Sequence, residues 1–365
     1  MNKIATILIA VVSWLGLSAQ DPHLSLFNGL PMGINPAYTG NFNGNFRVGA
    51  QFRDQWNSVL ANENIASYRT NIATLEARTN RGVDENDFVG MGVYFMNDIA
   101  GQSRLSNTKL GLSGAYRKAL DQYGDHFISV GGQLAFHQSR INLKDLTWGN
   151  QWNVDRYDPS IIGESNNLDD NIIFYDLSAG LTWGYNKFGT RNRFYAGIGV
   201  LHLNEPNFSF FRANPTGPSI DASAKLPMRI NFNAGAGLQV NSRMDVVPKL
   251  LVMSQGKSFE TVFGGDVRLL LDPSDENSNS VYFGVLSRVV GGDPNNVLNS
   301  SSLNFESFIP SARIDYNNFE VGVGYDINVS DLRRASKFQG GFELYINYAF
   351  RIKNSKMRKL FCPKI

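Results

Sequence analysis

From Asn45 to Arg351 the chain repeats one device: segments of about ten residues whose apolar side chains alternate with small or polar ones. Phe88–Met96 sets Val89, Met91, Val93 and Phe95 on one face and Gly90, Gly92 and Tyr94 on the other. Gly341–Arg351 sets Phe342, Leu344, Ile346, Tyr348 and Phe350 opposite Glu343, Tyr345, Asn347 and Ala349. A period of two is the signature of a strand. Strands of soluble sheets usually run about five or six residues, whereas a tilted strand needs about 9–11 to cross a bilayer, with one apolar face and one polar or small face. The fold expected is all-β: a transmembrane antiparallel up-and-down β-barrel with no helix of any length.

Fourteen such segments can be placed: Asn45–Asp54, Ile65–Ala77, Phe88–Asn97, Thr108–Lys118, His126–Gln138, Ile172–Tyr185, Arg193–Leu203, Met228–Val240, Asp245–Ser254, Phe259–Leu271, Ser280–Val290, Phe308–Tyr316, Phe319–Val329 and Gln339–Arg351. The connections check the count. Asn186–Asn192, Asn241–Met244 and Asn317–Asn318 are short and alternate with the long Ser139–Asn171, Asn204–Pro227 and Gly291–Ser307, as the two sides of an outer-membrane barrel do. An even count places both ends of the chain on the periplasmic side.

Residues 1–19 read as a secretory signal: Lys3, the apolar run Ile4–Leu17, and a small-residue cleavage site at Leu17-Ser18-Ala19. Residues 20–44 carry Pro22, Pro31 and Pro36 without alternation and read as an irregular periplasmic arm or plug; residues 45–351 form the barrel, and 352–365 a basic periplasmic tail. Past the signal no stretch approaches a transmembrane helix and the mean hydropathy is −0.22, which excludes a helical membrane protein but not a barrel, half of whose strand residues face a polar lumen. The 35 glycines suit packed strand interiors and the 25 phenylalanines a lipid-facing wall. A net charge of +2 gives no reason to expect nucleic acid as a partner. Cys362 is the only cysteine, so no internal disulfide forms. No cofactor or metal set is legible: the acidic turns Asp84–Asp87 and Asp272–Asn279 lack calcium-loop spacing.

By parity, Arg47, Gly49, Gln51 and Arg53 point into the lumen, as do Glu260, Asp266, Arg268, Arg313, Asp315, Glu320, Asp326 and Glu343. Their mixed sign argues for a salt-bridged, occupied interior rather than a charge-selective pore. Candidate partner-binding residues are Arg53, Asp54, Gln55 and Trp56 at the outer end of the first strand, and Trp148, Trp152 and Tyr157 in the longest external loop, since exposed aromatics anchor interfaces. Phe361, Cys362 and Pro363 in the tail are expected to dock on the periplasmic rim or on a secretion component. No acid–base or nucleophilic constellation emerges: Asp125 with His126, and His137 with Ser139, are too close in sequence to imply a triad. The chain is therefore not read as an enzyme.

The arm Gln20–Gly40 (QDPHLSLFNGLPMGINPAYTG), the run Arg47–Trp56 (RVGAQFRDQW) and the ending Cys362-Pro363-Lys364 together resemble the PorP/SprF family of Bacteroidetes outer-membrane proteins. Leu26 departs from that pattern, where a polar residue is expected beside Phe27. The resemblance implies a non-enzymatic outer-membrane barrel of the type IX secretion system. Its role would be to assist export or surface attachment of a large secreted protein, such as a gliding adhesin, by binding it or its C-terminal sorting domain. Implied partners are that secreted protein, other type IX components, and the outer-membrane lipid and lipopolysaccharide around the wall. Composition and strand pattern alone leave a second reading open, a plugged fourteen-stranded transporter for a small or hydrophobic molecule.

Overall fold

The computed structural model describes residues 21–352 apart from 61–65, 102, 144–145, 154–155, 159, 162, 164–167, 188, 212–223, 273–278, 292–302 and 332. The signal segment and the tail residues Phe361, Cys362 and Pro363 lie outside the described residues. The wall is a closed antiparallel barrel of fourteen strands: β1 Phe46–Gln55, β2 Tyr68–Thr79, β3 Phe88–Ala100, β4 Leu105–Ala119, β5 His126–Arg140, β6 Asn171–Asn186, β7 Arg193–Leu201, β8 Arg229–Gln239, β9 Met244–Gln255, β10 Ser258–Leu270, β11 Ser280–Gly291, β12 Leu303–Tyr316, β13 Phe319–Asn328 and β14 Gln339–Phe350. Every strand expected from alternation is present. The largest shift is at β12, which starts five residues earlier than the alternation marks, at Leu303 instead of Phe308.

Each strand pairs with its neighbour in sequence, and β1 closes on β14 from Phe46 opposite Phe350 to Gln55 opposite Gly341. Closure removes every edge, so all wall backbone groups can be paired in a medium that offers no water. The parity also holds. Val89, Met91, Val93 and Phe95 of β3 face outward, while Arg47, Gly49, Gln51 and Arg53 of β1 are buried inside. Across β4, β5 and β6 the outward rows pair in register: Leu112, Leu134 and Leu177, then Leu110, Phe136 and Tyr175, then Thr108, Gln138 and Ile173, then Ser106, Arg140 and Asn171. An apolar band thus gives way to polar side chains toward the long-loop end. No helix is long and apolar enough to cross a membrane among the described residues.

The arm lies inside this wall. Leu26, Phe27, Leu30, Met32, Ile34, Tyr38 and Phe42 are each at most 7% exposed. Phe27, Ile34 and Tyr38 join Tyr195, Leu251, Met253, Val262, Leu286 and Ile309 in one cluster. Leu30 and Met32 join Ile72, Tyr94 and Met96 in another. A fully buried side chain of this size contributes about 1.5–3 kcal/mol relative to exposure, so the arm is a core element of the barrel. Leu26, the residue that departs from the family pattern, packs its side chain over Gly324.

Candidate functional site

The arm runs the length of the lumen, and each residue's partner fixes its level. Asp21 meets His202 at 2.8 Å, Arg229 at 3.3 Å and Gln255 at 3.2 Å, all at that end of the barrel where the long loop between β7 and β8 lies. Gly44, at the other end of the arm, accepts Arg78 Nε at 2.7 Å beside the short-turn end of the wall. Asn45 donates its amide to Phe350 O at 2.8 Å, and β1 begins. The wall therefore starts and finishes at one end, where Phe46 opposes Phe350, but Asp21 lies at the other.

An irregular segment has no ladder of its own, so the wall must satisfy its backbone. Asn231 donates to Ile34 O at 2.8 Å, Asn347 to Gly29 O at 2.8 Å, and Ser129 to Ala37 O at 2.7 Å. Gly40 N donates to Glu76 at 2.9 Å. Within the arm, Asn35 accepts the Ala37 amide at 2.9 Å, opening the short 3-10 turn Pro36–Tyr38. Its amide nitrogen reaches out to Leu181 O and Thr182 Oγ1, both at 3.2 Å. Pro31 and Pro36 each sit at the start of such a turn, where their missing N–H leaves no donor unpaired.

The wall is also shaped for the arm. A Cβ on Gly90 would overlap the Thr39 carbonyl, one on Gly199 the Ile34 carbonyl, and one on Gly131 would stand 2.5 Å from the Pro36 carbonyl. These close approaches require glycine.

The densest electrostatics lie near the loop end. Arg53 pairs with Glu343 and with Asp326 at 3.0 Å. Arg288 reaches Asp326 at 2.9 Å and Glu260 at 3.1 Å. The arm enters this network directly. Glu343 accepts the amides of Ser25 and Leu26, each at 2.7 Å, and Ser25 Oγ donates to Asp326 at 2.6 Å. His23 pairs with Glu260. Beside them His202 stands between Asp21 and Asp176, the latter at 3.0 Å. Burial works against an imidazolium, but the carboxylates of Asp21 and Asp176 outweigh it and push His202 up to about 9. Burial likewise opposes the Asp21 carboxylate, yet His202 and Arg229 hold its pKa well below the usual range. Charges removed from water persist only when paired in this way.

A cavity of about 40 Å³ beneath Asp21, lined by Leu24, Tyr94, Lys109 and Met253 among others, has room for waters and for no organic solute.

The candidate partner residues fall into three groups. Arg53 is 3% exposed and belongs to the inner network, whereas Asp54, Gln55 and Trp56 sit at the rim. There Asp54 meets Arg69 at 3.4 Å and Trp56 sets its ring edge-on to Tyr68 at 5.5 Å. In the longest loop, Trp152 and Tyr157 pair across a two-residue hairpin with rings 6.3 Å apart, and Trp152 is 66% exposed. Trp148 caps the turn Gly149–Gln151 just before it. Trp152 and Tyr157 are thus brought together, and Gln151 Oε1 links the other aromatic to them by accepting the Trp148 amide at 2.8 Å and the Tyr157 hydroxyl at 3.4 Å.

Sequence reasoning missed the apolar lumen residues Val247, Leu251, Met253, Val262, Leu286 and Ile309. Their signal was present in β9, whose run Val246–Met253 lacks clean alternation because apolar residues stand on both faces, the inward Val247, Leu251 and Met253 buried and the outward Val246 exposed. It also missed the aromatic group above the plug, where the Phe174 ring stacks on His137 at 4.8 Å and meets Phe208 edge-on at 5.8 Å.

A family model described as "Type IX secretion system membrane protein PorP/SprF" matches residues 16–356. Among curated proteins none matches significantly. Solved structures with a similar course include the TodX monoaromatic hydrocarbon channel deltaS2 mutant, with 9% identity over 89% of this chain and 94% of that one, at a TM-score of 0.49. A Pseudomonas aeruginosa FadL homologue has 9% identity over 87% and 93%, at 0.45. BamA from Haemophilus ducreyi lacking POTRA domains 1-3 has 10% identity over 84% and 71%, at 0.42. Likenesses this distant say nothing about function.

Proposed function

This chain belongs to the PorP/SprF family of type IX secretion system membrane proteins, and on that premise we propose that it is a sealed, non-enzymatic docking barrel. It assists the export or surface attachment of a large secreted protein, a gliding adhesin being the type, by binding that protein or its C-terminal sorting domain at the long-loop mouth. One observation carries this reading: the protein's own arm fills the lumen from Asp21 to Gly44, tied at both ends. A polypeptide cannot pass through a lumen so occupied, which leaves the rim and the loops as working surface. The same occupancy disfavours a transporter, because the arm's buried side chains take up the lumen between its two tied ends.

On this reading Asp54, Gln55 and Trp56, with Trp148, Trp152 and Tyr157, supply the mouth's contacts, and the long loops face the cell exterior. The tail residues Phe361, Cys362 and Pro363 engage the periplasmic side of the secretion machine. Deleting Phe361–Ile365 then leaves the barrel folded and lowers display of the secreted partner. The reading is tested by isolating the native protein in mild detergent and identifying what accompanies it. A large secreted polypeptide that is lost from a Trp152→Ala, Tyr157→Ala variant supports docking. Isolation of a barrel bound only to a small apolar solute would overturn it.

A further inference from the structure

At the long-loop end of the wall, an open cleft of about 410 Å³ is lined by Arg104, Arg140, Ile141, Asn142, Asp170 and Asn171. Its position relative to the apolar band is fixed by strand register. Arg140 is on the outward face of β5, four residues beyond Phe136, or about 13 Å along a strand. Phe136 itself pairs with Leu110 and Tyr175, all three exposed on the lipid side. With strands tilted by about 40° that places the cleft roughly 10 Å above the last row of apolar side chains, at the depth of lipid headgroups. Ile173, 69% exposed, lies between the two levels.

The cleft's chemistry is cationic. Among the described residues, the Arg140 guanidinium contacts neutral amides, Asn171 Oδ1 at 3.4 Å and, with the Gln138 amide turned, its oxygen at 2.9 Å. Arg104 is held at the cleft by the β3–β4 turn, its amide donating to Gly101 O at 3.1 Å with φ at +46°, a conformation unusual for a residue with a side chain. Neither arginine pairs with a described carboxylate, although arginines of the lumen do so repeatedly. Asp170 is the one acid in the lining, against two guanidinium groups. Two planar forks in a polar cleft, directly above exposed apolar side chains, match an anion carried on acyl chains.

We propose that this cleft binds the phosphate groups of an outer-leaflet glycolipid, the lipid A part of lipopolysaccharide, with its acyl chains descending over Ile173, Tyr175, Phe136 and Leu110. The proposal rests on the reading that the long loops face the exterior. In that orientation the site fixes the barrel's depth and holds one lipid beside the loop that carries Trp152 and Tyr157.

The test is lipid retention by the full chain purified from outer membranes in mild detergent, measured by mass spectrometry. Wild type is compared with Arg104→Ala, Arg140→Ala, with Arg140→Gln, and with Lys257→Ala as a charge control distant from the cleft. Heat-modifiable electrophoretic mobility confirms that each is folded. Retained lipid A should fall about tenfold or more in the double variant, the factor expected from removing two charges at an anionic surface, by less in Arg140→Gln, and not at all in Lys257→Ala. If the double variant does not fold, the Arg140→Gln comparison decides. Lipid A stripped of its phosphates should be retained poorly, and inorganic phosphate alone should not displace the intact lipid. Equal retention by Arg140→Gln and wild type would overturn the proposal. So would equal retention of dephosphorylated lipid, or displacement by inorganic phosphate, which would make this a free-anion site. Retention of phospholipid with no lipopolysaccharide would overturn it for a different reason, by showing that the long loops face the periplasm.

Discussion

Glu343 accepts the backbone amide of Ser25 at 2.7 Å, joining the arm to the last strand across 318 positions of sequence. The same carboxylate pairs with Arg53 of the first strand, so one side chain bridges the two closing strands and holds the plug. Removing one partner of a buried pair costs about 3–5 kcal/mol. Glu343→Ala should therefore release the first turn of the arm while the strand pairing keeps the barrel closed. In planar bilayers the wild-type protein should show no large stable conductance, and the variant should show intermittent openings. A silent variant that folds normally would mean the arm is held mainly by its apolar contacts.

Gly90 and Gly131 are two of the places where the arm's backbone meets the wall. A valine at either position cannot coexist with the arm in its present path, since both close atoms are main chain. Gly131→Val should drive Pro36 and Ala37 away from β5 and expose them. With Cys362 replaced by Ser, a cysteine at Ala37 should resist a polar maleimide in the parent and react in the Gly131→Val background. The outward-facing Gly132→Val should leave it protected.

The last strand offers a depth series. Ile346 pairs with Ala50 and Val321 in the middle of the wall, whereas Phe342 pairs with Asp54 near the rim. A charge on the lipid face costs about 2–4 kcal/mol for Arg at the midplane and about 0–1 near the interface. Ile346→Arg should sharply lower the amount of folded barrel in the outer membrane, and Phe342→Arg should do so far less. The reverse order would misplace the membrane on this wall.

Asp21 stands at the loop end, in contact with His202. A short epitope inserted between Gln20 and Asp21 should therefore bind antibody on intact cells if the loops face out. An epitope placed in the turn Asn241–Arg243 should bind only after permeabilisation.

The Asp21–His202 contact carries its own pH signature. His202 is pushed up to about 9, so the stability it contributes is complete below its unfolded value of about 6.5 and is lost as pH rises through 9. Asp21 is shifted down, so its contribution is present above about 3.9 and is lost as pH falls below that. The arm's first residues should be most resistant to proteolysis between these limits. In His202→Gln the alkaline loss should disappear.

How much of this was legible follows from the range of each interaction. Alternation is local: every strand residue reports its own face, so fourteen segments, their parity and the inward set Arg53, Glu260, Asp326 and Glu343 could be read one strand at a time. The loop asymmetry could be read the same way. The prolines marked the arm as irregular for an equally local reason, since proline lacks the donor that a ladder needs.

The arm's path was decided by the tertiary structure alone. No period orients an irregular segment, and its partners are side chains one to three hundred residues away. The sequence pointed equally to a periplasmic arm and to a plug, and nothing in it placed Asp21 at the loop end. Gly90, Gly131 and Gly199 read as ordinary strand glycines until the arm's carbonyls are set against them. Arg53 read both as a lumen residue and as part of a rim motif, and pairing with Glu343 and Asp326 assigned it to the lumen. The sequence by itself determined the wall, because a wall is built from period-two patterns and neighbouring pairs. Only the folded chain decided what fills it, because filling depends on contacts that exist once the wall has closed.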